Sequence, residues 1–282
     1  MSRTASHPGT RARRRAPVTA LLAAACLLAA GCSVALPPPD ATPTERFEWS
    51  HERFEDGNYN DAIRGFRDLL FREPLHATTD SARYLLAESY LKTDQHLLAA
   101  NEFRMLATSR PNSEVADDAQ LGMCRSYWEL SPSIQRDQEF TRRAIEACTR
   151  LIEFFPRSEL DGEARDLIGD ARLELAEKQV NVVGRWYYER KYYESAIIYF
   201  ESAIRDFPDA PVIPRALAML HDSYSQVGFL AEAEDTRELL LDRFPDSPEA
   251  RELAASSDET ETASGETDTA VADTSTDASA GE

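Results

Sequence analysis

Basic residues are in short supply in this 282-residue chain, where 31 Lys and Arg stand against 50 Asp and Glu for a formal charge of −19. A surface so acidic argues against nucleic acid and anionic lipid as partners of the chain as a whole. Histidines are also few, and His51, His76, His96 and His221 lie near no cysteine or carboxylate set with metal-ligand spacing. The P-loop, the G-x-S-x-G elbow and the dinucleotide fingerprint are missing. Acidic pairs are frequent, but at this Glu content they belong to solvated helix faces rather than to catalytic dyads. The sequence therefore reads as that of a protein that is not an enzyme and needs no metal or diffusible cofactor.

Long apolar runs are missing too, with one short exception near the start. Arg11, Arg13, Arg14 and Arg15 precede an apolar stretch at residues 18–30. A basic segment followed by an apolar run of this length is the pattern of an export signal, and it is short for a membrane span. It ends in Leu28-Ala29-Ala30-Gly31-Cys32, which is similar to a bacterial lipobox. Residues 1–31 are expected to be a lipoprotein signal peptide and Cys32 the lipidated first residue of the mature chain. That lipid would be the sole covalent addition. The register departs from the usual motif, because Ala29 stands where Leu is common. Ser33 follows the cysteine, which under the sorting convention of enteric bacteria permits transfer to the outer membrane. Residues 32–45 carry Pro37, Pro38, Pro39 and Pro43, a composition that suits an extended tether. Removing the signal's five arginines would bring the charge near −24.

What the chain has in abundance is a recurring frame. It is clearest as Val180-x₂-Val183-Gly184-x₂-Tyr187, then Ala196-x₃-Phe200, then Pro208. This is the large, Gly, aromatic, Ala-x₃-Phe, Pro signature of the tetratricopeptide helix pair. Ala62-x₃-Phe66 with Pro74 repeats it, as do Ala99-x₃-Phe103 with Pro111, Ala144-x₃-Cys148 with Pro156, and Ala233 with Pro245. The small residue lets the second helix approach the first, the aromatics fill the space between neighbouring repeats, and proline ends the second helix. The fold class is all-α, a superhelical solenoid of five tetratricopeptide-like helix pairs at residues 46–253. Repeats one to three occupy about 46–157 and repeats four and five about 176–250. Such arrays bind other chains along a concave surface.

The prolines are spaced by 37, 45, 52 and 37 residues. The extra length of repeat three falls at Ser131–Asp137, where Pro132 interrupts any helix. The stretch from Glu159 to Arg190 has no proline and reads as one long helix or two nearly continuous ones. Residues 254–282 hold eight acidic residues, no basic ones and almost no large apolar ones, so they are expected to be a disordered tail. Cys26 falls in the signal and Cys32 at its end, which leaves Cys124 and Cys148 for the folded part. They face each other within repeat three. A disulfide is permitted in an oxidising compartment, but most helix pairs sit wider than a bridge needs, which favours two buried thiols.

The first helix of each repeat lines the concave face of such an array. In repeats one to three it offers Phe47, His51, Phe54, Tyr84, Glu88, Leu91, Lys92, Arg125 and Trp128. This aromatic, mixed-charge lining suits an extended peptide with apolar anchors and a charged end. Several of these residues have an alternative reading as packing between repeats. Trp186, Tyr187, Tyr188, Tyr192, Tyr193 and Tyr199, with Arg185, Arg190 and Lys191, form a second cluster of the kind enriched in interface anchors.

The runs Tyr84-Leu-Leu-Ala-Glu-Ser-Tyr90, Tyr127-Trp-Glu-Leu-Ser-Pro132 with Asp137-Gln138, Leu175-Ala-Glu-Lys178 and Tyr187-Tyr188-x-Arg190 carry a specific resemblance. With the lipobox and proline-rich tether, the chain resembles the BamD (YfiO) family of outer-membrane protein assembly lipoproteins over roughly residues 32–250. The resemblance implies a periplasm-facing, lipid-anchored, non-catalytic part of the machinery that folds β-barrels into the outer membrane. It implies that Phe47, Phe54, Tyr84, Leu91, Lys92, Arg125 and Trp128 meet the C-terminal signal strand of unfolded outer-membrane proteins. Arg185, Tyr188, Arg190, Tyr199, Arg215 and Asp222 would lie in the half that docks on the POTRA region of a BamA-type barrel subunit. A general periplasmic scaffold linked to peptidoglycan or cell division is the alternative.

Overall fold

A computed structural model describes residues 36–255 of the chain, and these residues are helical throughout, with short turns between. Helix α1 spans Pro43–Glu55 and α2 Tyr59–Arg72, α3 spans Thr79–Leu91 and α4 His96–Ser109, and α5 spans Ala116–Glu129 and α6 Glu139–Phe154. Helix α7 spans Asp161–Glu177 and runs without a break through a π-helical segment, Lys178–Gly184, into the short α8, Arg185–Glu189. Then α9 covers Tyr193–Asp206, α10 Ile213–Val227 and α11 Leu230–Arg243, and residues 248–255 add a last helical stretch. The proline-free stretch is thus one helical rod. No helix among the described residues is long and apolar enough to cross a membrane. Cys32, the signal segment and the tail from residue 256 lie outside the described residues.

The frame letters do the steric work expected of them. Ala62, Ala99 and Ala196 have no exposed surface, and neither do Phe66, Phe103 and Phe200 one turn on. A Cβ added to Gly184 would meet the Phe200 ring at 2.5 Å, and one on Gly122 would meet the Phe103 ring at 2.6 Å. Those helices touch only because glycine stands there. The second helix of every pair ends in one geometry. Glu73, Arg110, Phe155, Phe207 and Phe244 all leave the helical region, with φ near −123 to −135° and ψ near 50 to 62°. Each precedes a proline, whose ring clashes with a helical predecessor. The turns inside four of the five pairs are alike, the insertion of repeat three being the exception. Gly57, Asp94, Lys191 and Gly228 all have positive φ, and each lies just past the first helix of its pair.

Two hydrophobic cores result. The first runs from Ala62 to Ala164 and the second from Ala176 to Ala250. The α7 rod joins them, with Ala164 in one core and Ala176 in the other. The insertion in repeat three is folded back onto this junction. Gln138 is fully buried and its amide donates to the carbonyls of Ser133 at 3.0 Å and Arg136 at 3.2 Å. Lys178, at the start of the π-helical segment, donates to the carbonyl of Ile134 at 3.2 Å and also to that of Arg136. A loop of the first core therefore grips the rod where it enters the second.

Two local expectations change. Cys124 and Cys148 are bonded, with their Cα atoms 5.2 Å apart. Helices α5 and α6 come this close where α6 presents the small buried Ala144 and Ala147: Cys124 Sγ lies 3.3 Å from the Ala144 carbonyl, and Gln120 donates to the Ala147 carbonyl at 2.8 Å. Nor is the whole proline-rich segment a free tether. Helix α1 already starts at Pro43, capped by Thr42 and Glu45, whose side chains reach each other's backbone. The chain before it is fixed to repeat one by Arg46.

Candidate functional site

On the first helices of repeats two and three, Tyr84 and Glu88 sit one turn apart on α3, and Asp118 and Arg125 come from α5. They interact as one charged cluster. Burial, then the Glu88 and Asp118 charges, push the Tyr84 hydroxyl up to about 12. Burial likewise raises the Glu88 carboxyl, against the pull of Lys92 and Arg125. Asp118 is raised by burial and by Asp117 beside it. Arg125 faces Glu163 at the start of α7, donating from Nε to Oε1 at 2.6 Å and from Nη2 to Oε2 at 2.5 Å. That bond holds Glu163 below the usual carboxylate range and raises Arg125. A guanidinium gripping a carboxylate with both arms is suited to recognising a carboxylate.

The other residues expected on this face are distributed unevenly. Lys92 caps the end of α3 and is exposed. Trp128 is half-buried on α5. Tyr84 and Leu91 are half-buried against the first core, and Tyr84 meets the Phe103 ring edge-on at 5.7 Å. Phe47 and Phe54 also pack on that core, Phe47 6.0 Å from Phe66 and Phe54 5.5 Å from Tyr59 between ring centres. The structure thus gathers Tyr84, Lys92 and Arg125 around Glu88. Phe47 and Phe54 turn their rings to packing within repeat one. Asp118 and Glu163 were missed by sequence reasoning. Glu163 lies 38 residues from Arg125, and no local signal links them.

The second half presents a different surface. Tyr188 on α8 donates to Asp222 on α10 at 2.7 Å, and burial followed by this bond pushes its hydroxyl up to about 12. Tyr187 stacks on Tyr199 with ring centres 5.2 Å apart, and their mutual hydrogen bond raises the Tyr199 hydroxyl. Arg190 lies 4.0 Å above the Trp186 ring, a cation–π contact. Trp186 and Tyr192 remain 46% and 57% exposed, so the patch keeps an aromatic surface open to solvent. Arg185 pairs with Glu189 at 2.7 Å. Arg215 reaches Asn181 at 3.3 Å and Glu249 at 3.7 Å, away from these aromatics. Tyr188, Asp222 and Tyr199 therefore brace the patch, while Arg190, Trp186 and Tyr192 are among its exposed members.

Relatives place the chain. The Caulobacter vibrioides outer membrane protein assembly factor BamD is 25% identical over 81% of this chain and 75% of its own length. The Neisseria meningitidis serogroup A protein of the same name is 25% identical over 71% of this chain and 78% of its own. That of Haemophilus influenzae is 22% identical over 80% and 90%. Among solved structures, MamA follows the helix path only loosely, with a TM-score of 0.34 at 16% identity over 71% of this chain and 90% of its own. The model of the YfiO family, described as outer membrane lipoprotein, matches residues 39–240, and the chain belongs to that family.

Proposed function

We propose that this chain is a non-catalytic, lipid-anchored component of the machinery that assembles β-barrel proteins in the outer membrane, facing the periplasm. The observation that carries this reading is the family match over residues 39–240, among relatives named as outer membrane protein assembly factors. Lipid on Cys32 would tether it.

In this reading the first three repeats hold the end of an unfolded barrel protein. Tyr84, Leu91 and Trp128 offer apolar contact, and Lys92 and Arg125 offer charge for a terminal carboxylate. Phe47 and Phe54 act by shaping repeat one. Arg125 is already engaged by Glu163, so an incoming carboxylate must displace it. The second half, with Arg185, Arg190, Arg215 and Tyr199 on a frame braced by Tyr188 and Asp222, docks on the POTRA region of the barrel subunit.

Titration with a labelled peptide ending in an aromatic residue and a free carboxylate tests the groove. Binding should weaken on Arg125→Ala or Trp128→Ala and with an amidated peptide end. It should strengthen on Glu163→Gln, because the internal competitor loses its charge. Equal binding by all of these would refute the groove.

A further inference from the structure

The chain is pinned to repeat one almost up to the predicted anchor. Arg46 is 5% exposed. It donates to the carbonyls of Pro39 at 2.7 Å and Ala41 at 3.0 Å, and to Asp68 at 2.6 Å. Pro37 is buried as well. Only residues 33–35 separate Cys32 from Leu36. At 3.8 Å per Cα step, that leash reaches at most about 15 Å. If Cys32 carries lipid, Leu36 is held within that distance of the bilayer.

The surface around Leu36 differs from the rest of the molecule. Leu36 is 54% exposed and Phe71 88%. With Arg64, Arg67 and Arg83 they line one open groove of about 510 Å³. Leu75, 87% exposed, follows just beyond α2. Phe66 and Leu69 already supply the core side of α2, so packing does not require an aromatic at Phe71. Of the groove's two carboxylates, Asp68 is already met by Arg46 and Arg72, and Glu102 by Arg83. Among the described residues Arg67 has no carboxylate partner; it bonds the Tyr90 hydroxyl instead. Arg64 is paired with Asp61, so in a chain of charge −19 the groove's uncompensated positive charge rests on Arg67.

We propose that this face of repeat one, Leu36 and Phe71 with Arg64 and Arg67, rests on the phospholipid headgroup layer beside the anchor. The proposal rests on lipidation at Cys32. Guanidinium groups bond phosphate oxygens, and exposed Phe and Leu side chains enter the headgroup boundary. The acidic remainder of the chain is repelled by anionic headgroups, so the same field that draws this groove inward turns the other repeats away. The lipid would then fix the orientation of the solenoid as well as its address.

The test uses the mature lipidated protein in vesicles of phosphatidylethanolamine and phosphatidylglycerol. A nitroxide is placed at Phe71→Cys or at Ile198→Cys, a control in the second half that is 64% exposed. Cys124 and Cys148 are bonded and do not take the label. Flotation with the vesicles, lost on Cys32→Ala, reports the anchor. Collision with oxygen and with a water-soluble nickel complex reports depth. The label at 71 should be several-fold less accessible to nickel than the label at 198, and more accessible to oxygen. A floating protein with both labels equally open to nickel overturns the proposal alone. A label at 71 shielded from both reagents means a protein contact and also overturns it. A protein that does not float overturns the anchor and the proposal together.

Discussion

Reduction of the Cys124–Cys148 bond removes a cross-link between α5 and α6, across a sequence separation of 24. In the chain-entropy account, a loop of that length restricts the unfolded ensemble by about 3.4 kcal/mol at 25 °C. Both sulfurs are fully buried, so reduction leaves the folded packing nearly intact and the loss falls on the unfolded state. With a urea slope of about 2–3 kcal/mol per molar for a domain of this size, the midpoint should fall by roughly 1–1.7 M. The effect should also be local. The bond lies in the first core, and repeats in a solenoid answer mainly to their neighbours. Urea melts with and without reductant, followed by circular dichroism, measure the size of the loss. Hydrogen exchange read by peptide mass spectrometry measures its location, with protection lost in α5 and α6 and kept in α10 and α11. An unchanged midpoint would refute the bond's role. Equal loss of protection in α10 and α11 would refute the division into two cores.

Arg46→Ala breaks a nearly buried ion pair and frees two backbone carbonyls, so it should cost about 2–3 kcal/mol and open residues 36–41 to exchange. Lys191→Gly relieves a left-handed backbone and should stabilise by about 0.5–1 kcal/mol in urea melts, with Asp94→Gly gaining less because Asp tolerates that region better. Gly122→Ala drives a methyl into the Phe103 ring and should cost about 1–3 kcal/mol by the same assay. Glu88 has its carboxyl raised by burial, so its charge costs stability above the folded pKa and nothing below the unfolded one. Glu88→Gln should therefore raise the Tm at pH 7 and leave it unchanged at pH 3.

The helix pairs were legible because their letters are steric and local. Ala62 and Phe66 lie one turn apart, and Pro74 ends the helix that carries them. The left-handed turns were half legible: Gly57 and Gly228 announce them, whereas Asp94 and Lys191 hold the same backbone without glycine. The binding face was less so. A helix-pair frame says which residues lie on the first helix but not how far each is rotated toward the next repeat. Phe47, Phe54 and Tyr84 therefore read alike, and all three pack in part on the first core, but Tyr84 also meets the charges of Glu88 and Arg125. Contacts across long separations left no mark in the sequence. Arg125 with Glu163, Lys178 with the Ile134 carbonyl, and Arg46 with Asp68 are each set by how whole helices stack. The disulfide turned on one helix spacing, set where the small Ala144 and Ala147 of α6 meet α5.

The measurement that bears most directly on the assembly role is a pull-down from detergent-solubilised outer membranes, with the full mature chain tagged on its acidic tail. The account predicts recovery of a large β-barrel protein with periplasmic POTRA repeats. It also predicts loss of that protein on Arg190→Ala with Tyr199→Ala, while Tyr188→Phe controls for the brace to Asp222. Recovery of peptidoglycan-linked or division proteins alone, unaffected by those changes, would contradict it.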